Sequence, residues 1–387
     1  MCYILIMANF NKSDLHRNQF MLNGKFMRKG YDWWWHSFTA VDEETGEEKP
    51  FFIEFFMCNP LLARNVPTFG QLPQNQKNKI RPSYLMVKAG AWGKEKRQLH
   101  RFFSWKDVKL HKNAPYSVEA ADCFCSETEL RGAIHISEGE ASKHSEWMSD
   151  DGTMEWDLKL EKKVAFNVGY GAGWFFRAIK AFEMYWHAEG MKTFMSGTVK
   201  FQGRKYIVKP ETSYGYADKN WGSNFTSPWV WLSSNNLTSK ISGKKLEDSV
   251  FDIGGGCPKV FFVPLKRKLL SAFWYEGKPF EYNFSKFWTH TKTDFKFREE
   301  YQEVIWNVVQ SNKTSIMETE IHCNKKDMLF VNYESPDGKK RHNQLWNGGN
   351  GWGNIKLYKK DRKAEGGREL IDDIEVKNVG CEYGEYC

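Results

Sequence analysis

No uninterrupted apolar run in the sequence approaches the ~20 residues that a membrane-crossing helix requires, which excludes a helical span. HxH, HExxH and doubled CxxC spacings are missing, so no metal is expected. Two glycine-rich runs, Gly254-Gly255-Gly256 and Gly348-Gly349-Asn350-Gly351, fit neither a phosphate loop nor a dinucleotide fingerprint and read as turns. Neither a GxSxG elbow nor a Cys–His pairing points to hydrolysis. The eight cysteines (Cys2, Cys58, Cys123, Cys125, Cys257, Cys323, Cys381 and Cys387) are too scattered for a disulfide framework. Cys123 and Cys125 share one strand face and read as reduced packing residues. The opening MCYILIMANFNKSD has no basic stretch ahead of its short apolar run, so it does not read as a secretory leader. The expectation is a cytoplasmic protein with, at most, peripheral membrane contact.

What the chain has in excess is aromatic surface. Phe, Trp and Tyr make up 16% of it, with 17 Trp and 29 Phe, alongside 27% charged residues. Any one of these rings most often fills a sheet core. The surplus suits a cavity for a hydrophobic small molecule, since such pockets are lined mainly by apolar and aromatic groups. The net charge of +8 is spread over short runs such as Lys266-Arg267-Lys268 and Lys339-Lys340-Arg341. This usually means a solvated face, and it would also favour an anionic membrane surface. Acidic residues interrupt the basic ones throughout, which argues against nucleic acid as a partner. The oligomeric state is left open.

Short alternating runs separated by turns dominate. Residues 32–40 set Trp33, Trp35 and Ser37 against Trp34, His36 and Phe38, and 50–58 answer as the return strand after a turn at 43–46. Similar runs recur at 84–89, 99–105, 129–136, 152–160, 198–201, 205–209 and 230–237. Later ones fall at 249–253, 259–263, 269–275, 278–282, 294–297, 303–310, 315–322 and 353–359, and 379–387 reads as a final strand. This pattern predicts an all-β sandwich or barrel. The one helical spacing, Phe175, Ile179, Phe182 and Trp186 across 174–185, serves equally for an aromatic loop over a barrel mouth. A new strand series begins after 190–196, so two domains are expected, 1–192 and 193–387, with a ligand pocket near their junction.

The densest chemistry lies in YGYADKNWGSNFTSPWVWL (214–232). Tyr214, Tyr216, Trp221, Phe225, Trp229 and Trp231 surround Asp218-Lys219-Asn220, with Gly215, Gly222 and Pro228 as breaks. A buried acid, base and amide are costly unless they satisfy one another or act on something, and a structural network is the plainer of the two roles. An ion pair with a cation would keep Asp218 ionised, but adjacent strand residues point to opposite faces, so Lys219 is not its automatic partner. Asn220 would orient a ligand oxygen or, more simply, cap a turn. His36 in WWWHS and His187 in MYWHAEG have the strongest aromatic settings among the histidines, and each is a candidate proton acceptor or a hydrogen-bonded structural residue.

YADKNWG followed by PWVWL resembles the tocopherol cyclase family, relatives of the carotenoid hydratases and lipocalin-like cyclases. The likeness extends in matching order through MEWDLKL (154–160), GWFFRAIKAFEMYWHAEG (173–190), SGTVKFQGRKYIV (196–208), GWGNIKLY (351–358) and VGCEYGEY (379–386). The aromatic GYDWWWHSFTA (30–40) is a looser counterpart of the family's opening strand. The resemblance implies two lipocalin-like β halves and a cofactor-free ring closure on a prenylated quinol or similar substrate. Such a reaction needs a proton for an alkene, stabilisation of the resulting cation and a folded tail. An alkene is a poor base, so the acid must be a carboxyl kept protonated by apolar surroundings. Asp218 is the implied catalytic acid, with His36 as a candidate for the phenol proton. Trp33, Trp34, Trp35, Tyr214, Tyr216, Asn220, Trp221, Trp229, Trp231, Trp186 and His187 are the candidate substrate contacts. A non-catalytic carrier of hydrophobic ligands and an isoprenoid hydratase are the rival expectations.

Overall fold

The computed structural model describes residues 10, 12–166, 179–260, 263–265, 268–339 and 341–386. Apolar residues alternating with polar ones make strands of 59% of it, and the fold is all-β. The first sheet contains Tyr31–Asp42 (β1), Glu48–Cys58 (β2), Tyr84–Ala91 (β3), Arg97–Phe103 (β4), Val108–His111 (β5) and Ser117–Ala120 (β6). It continues with Cys123–Ser126 (β7), Glu129–Ile136 (β8), Gly152–Phe166 (β9), Met184–Phe201 (β10), Arg204–Val208 (β11) and Gly215–Gly222 (β12). These twelve strands follow the order β4-β3-β2-β1-β11-β10-β9-β8-β7-β6-β5, with β12 pairing β1 and β10. The outermost strands β4 and β5 are joined only by residues 104–107, so the sheet curls back on itself as an up-and-down barrel of lipocalin-like kind. Its interior is filled by a cluster that includes Trp34, Phe51, Phe55, Leu85, Trp156 and Trp221.

The second sheet takes Trp229–Ser234 (β13), Asn236–Ser239 (β14) and Val250–Gly256 (β15). A small separate ribbon pairs Lys259–Val260 (β16) with Val263–Pro264 (β17). The second sheet resumes with Lys268–Tyr275 (β18), Lys278–Tyr282 (β19), Lys292–Glu299 (β20), Glu303–Ser311 (β21), Ser315–Asn324 (β22), Leu329–Glu334 (β23), Arg341–Lys360 (β24) and Arg368–Tyr386 (β25). Its order is β19-β18-β15-β13-β25-β24-β22-β21-β20, with β14 on β25 and β23 on β24. Trp306, Phe251, Phe273, Ile321, Ile355 and Val376 belong to its own core. A third apolar cluster, drawn from both sheets, fills the layer between them: Trp35, Phe52 and Tyr216 from one side meet Trp231, Val331 and Leu345 from the other.

Three sequence expectations change. The break expected at 192/193 falls inside β10, and the sheets part between residues 222 and 229. The helix considered over 174–185 lies outside the described residues up to 178. Its described remainder is turn and the start of β10. Both glycine runs are strand, not turn: Gly254–Gly256 ends β15 and Gly348–Gly351 lies within β24. A Cβ on Gly254 would stand 2.6 Å from the Trp186 ring, one on Gly349 2.2 Å from Trp92, and one on Gly380 2.3 Å from Trp231. These glycines are seats for indoles, the close-approach use of glycine within a strand. Among the described cysteines, Cys58, Cys123, Cys125, Cys323 and Cys381 are free, buried thiols.

Candidate active site

Strand β12 runs between β1 and β10, so its side chains fall alternately on the two faces of the barrel wall. Lys219 and Trp221 enter the barrel interior. Tyr216, Asp218 and Asn220 face the layer between the sheets. Trp35 lies opposite Asp218 in the β1–β12 register and Trp33 opposite Asn220, and opposed residues share a face. Trp33, Trp35 and Asp218 therefore meet Trp229, Trp231 and Glu382 from the second sheet around a cavity of about 30 Å³. A second, apolar hollow of about 70 Å³ adjoins it across Met184, Thr226 and Trp229, and is lined by Trp186 and Gly254.

The carboxyl of Asp218 is held by one edge. Its Oδ2 accepts from the Trp186 indole N–H at 2.8 Å and the Tyr216 hydroxyl at 3.3 Å. Its Oδ1 is buried without a hydrogen-bond partner among the described residues. No cation pairs with Asp218 there, because Lys219 on the opposite face is taken by Asp32 and lies 3.7 Å over the Trp34 ring. Burial pushes the Asp218 pKa up to about 8. The Trp186 N–H opposes this, and the nearby Glu382 charge adds to it. Trp33 stands close enough to steady the carboxylate slightly, but its N–H makes no well-formed hydrogen bond. At neutral pH Asp218 is thus mainly the neutral acid.

Two further carboxyls complete the site, and sequence reasoning missed both. Asp252 on β15 accepts from Tyr216 at 3.1 Å and from the Trp231 N–H at 3.1 Å, and burial drives its pKa far above the usual carboxylate range. Glu382 on β25 accepts from the Trp229 N–H at 2.7 Å and from Asn347, and burial raises it to about 7. The Tyr216 hydroxyl carries one proton and lies between Asp218 and Asp252, so it cannot donate to both at once. The signals available were slight: Asp252 alternates with apolar neighbours in SVFDIGGG, and Glu382 sits within the terminal VGCEYGEY motif.

Of the expected residues, Asp218, Tyr216, Trp33, Trp35, Trp186, Trp229 and Trp231 come together. Trp34 and Trp221 do not, since strand alternation sends them into the barrel core, where Trp34 stacks on Tyr116 and Trp221 on Tyr185. Tyr214 precedes β12 at a positive φ of 44° and packs near Lys245, away from Asp218. Asn220 is not a turn cap but a mid-strand residue that accepts a hydrogen bond from Tyr31 at 2.7 Å. His36 is enclosed on the barrel side, with Nε2 3.7 Å from Glu189, which in turn pairs with Lys162 at 3.1 Å. His187 lies on the same side, near the charges of Lys162 and Lys219. Burial lowers both histidines to about 3, so they are neutral and separated from the Asp218 cavity by the barrel wall. Among the described residues no three His, Cys, Asp or Glu side chains converge to hold a metal ion, and no helix is long and apolar enough to cross a membrane.

The site therefore defines an all-β protein with an acid-bearing aromatic cavity between two sheets. No protein-family model and no curated protein matches the chain. Among solved structures, it is similar to a protein described as AttH from Nitrosomonas europaea, at 12% identity over 92% of each chain and a TM-score of 0.47. It is also similar to CghA, solved with Sch210972, at 10% identity over 92% of this chain and 89% of that one, with a TM-score of 0.41. Likenesses at this level assign no residue a role.

Proposed function

We propose that the protein is a tocopherol cyclase-like enzyme that closes a ring on a prenylated phenol or quinol by proton transfer from Asp218. The observation that carries this reading is the bare Oδ1 of an enclosed, cation-free carboxyl at a cavity lined by Trp33, Trp35, Trp229 and Trp231. The Asp218 proton goes to the less substituted alkene carbon, leaving a tertiary cation and a carboxylate. Indole faces stabilise such a cation by ~0.5–2 kcal/mol each, more when desolvated. The phenol oxygen attacks the cation, a C–O bond forms, and the phenol proton returns to Asp218. The product is an isomer of the substrate, so the step as written consumes no co-reactant. Between the two transfers the Trp186 N–H and the Tyr216 hydroxyl hold the carboxylate through Oδ2. The indole N–H groups of Trp33 and Trp35 have no hydrogen-bond partner among the described residues. They are donors suited to a phenol oxygen. A quinol guest needs more room than the two hollows offer, and in this reading they merge as Met184, Thr226 and Trp229 shift.

The size of the cavity favours hydration as the second reading. At about 30 Å³ it has room for at least one water molecule, which would trap the same cation as an alcohol. Incubation with a panel of prenyl-quinols and mass spectrometry separates the possibilities: an isomer indicates cyclisation, and a product heavier by one water indicates hydration. Asp218→Asn should bind the same compound, seen by tryptophan fluorescence, while product formation falls by ~10²–10⁴-fold. Binding by both proteins with no product from either would make the protein a carrier.

A further inference from the structure

On the barrel side of the molecule, four segments distant in sequence converge on one exposed face. The Leu61 N–H donates to the Met27 carbonyl at 2.9 Å, and the Lys106 N–H to the Arg64 carbonyl at 3.0 Å. The Phe20 N–H bonds the Lys112 carbonyl at 3.2 Å, and Arg81 reaches the Arg28 carbonyl at 3.2 Å. Between them lies an open groove of about 440 Å³ whose walls include Phe20, Met27, Leu61, Trp105, Leu110 and Lys112. At its lip, large apolar side chains stand in water: Leu61 is 53% exposed, Leu62 39% and Val66 62%. Soluble surfaces carry scattered apolar residues, but a clustered apolar loop beside a groove marks an interaction site.

The surrounding charge identifies the partner. Arg64 and Lys112 line the groove, and exposed Lys25, Arg28, Lys29, Arg81 and Lys106 stand on the segments that converge there. Acids close to these cations are fewer: Asp107 accepts from Ser104 at 2.5 Å and Asp337 from Ser335 at 2.7 Å, while Glu119 is paired with Lys109 at 2.8 Å. An apolar centre with a cationic rim is the pattern that inserts into lipid while binding anionic headgroups. A nucleic-acid surface would instead present cations with aromatic platforms, and the exposed centre here is aliphatic. We infer that this face, centred on Leu61, Leu62 and Val66, docks the protein reversibly on an anionic lipid bilayer. The loop leaves β2 at Cys58, which pairs with Tyr31 at the start of β1, two residues before the cavity-lining Trp33. The docking face and the aromatic cavity thus share one end of the barrel. The inference does not depend on what the cavity does.

Flotation of the full chain with phosphatidylcholine vesicles, alone and with phosphatidylglycerol admixed, tests it. The expected result is binding to the anionic vesicles, little to the neutral ones, and loss with rising salt. Leu61→Glu with Leu62→Glu should abolish binding, and each of Arg64→Glu and Lys112→Glu should weaken it about five-fold or more. Circular dichroism of each variant checks that it remains folded. Absence of binding, binding that the variants do not change, or retention of short RNA in place of vesicles would each overturn the inference.

Discussion

At the scale of single residues, the site depends on one carboxyl being neutral. Asp218 has a folded pKa of about 8 against an ordinary 3.8, with burial as the main cause. The folded state therefore holds that proton over a range in which the unfolded chain has released it. The stability linked to the group is fully present below about pH 4 and is lost as pH rises through about 8. Asp218→Asn removes this titration. The melting-temperature difference between wild type and variant should shift in favour of the variant from pH 4 to pH 8, and a flat difference would mean Asp218 is ionised at neutral pH. Activity should fall above about pH 8 as the acid form disappears. Lys219, its chain neighbour, makes the contrasting case. Its buried pair with Asp32 lies on the opposite face, so Lys219→Met strands a carboxylate and should cost ~3–5 kcal/mol without altering ligand binding. Asp32→Asn added to it should recover much of that loss in urea melts, since the amide oxygen still accepts from the Met21 N–H.

Strands decide which residues of a motif can work together. Alternation within 32–40 was legible from sequence, and it correctly set Trp33 and Trp35 apart from Trp34 and His36. Which of those faces looked toward Asp218 was not legible, because that depends on β12 lying antiparallel to β1, more than 170 residues away in the chain. Asp252 and Glu382 escaped for the same reason: one is a lone acid in an apolar strand and the other is one of several acids in β25, and only sheet pairing brings them to Trp231 and Trp229. The glycine runs misled because local rules read glycine as a turn, whereas here tertiary contact with an indole selects it. Gly254→Ala tests this. Its new methyl meets the Trp186 ring, so it should destabilise by ~1–3 kcal/mol and disturb the Trp186–Asp218 hydrogen bond. The checks are a thermal melt and a shift of tryptophan emission. Unchanged values would show that β15 tolerates a side chain there.

At the scale of the molecule, the cavity lies between two sheets that are held face to face by their shared apolar layer and by buried polar contacts. The Trp92 N–H donates to Asn347 at 2.6 Å, Tyr84 to Glu334 at 3.1 Å and Tyr333 to Glu54 at 2.9 Å. Lys88 sits at the centre, fully buried, 3.0 Å from Glu54 and 3.5 Å over the Tyr333 ring. Its ion pair lies within the first sheet, while its ring contact reaches the second. An ammonium buried in this way contributes through its partners, and removing it leaves Glu54 charged in an apolar layer. Lys88→Met should therefore cost ~3–5 kcal/mol, and the loss should be felt on both sides of the layer. Hydrogen–deuterium exchange can follow Glu129–Ile136 in the barrel and Ser315–Asn324 in the second sheet, which lie far from Lys88 in sequence. If the sheets unfold as one cooperative unit, protection in both segments falls by the same factor. If only the barrel segment responds, the sheets open independently, and the aromatic cavity can widen by their separation without either one unfolding.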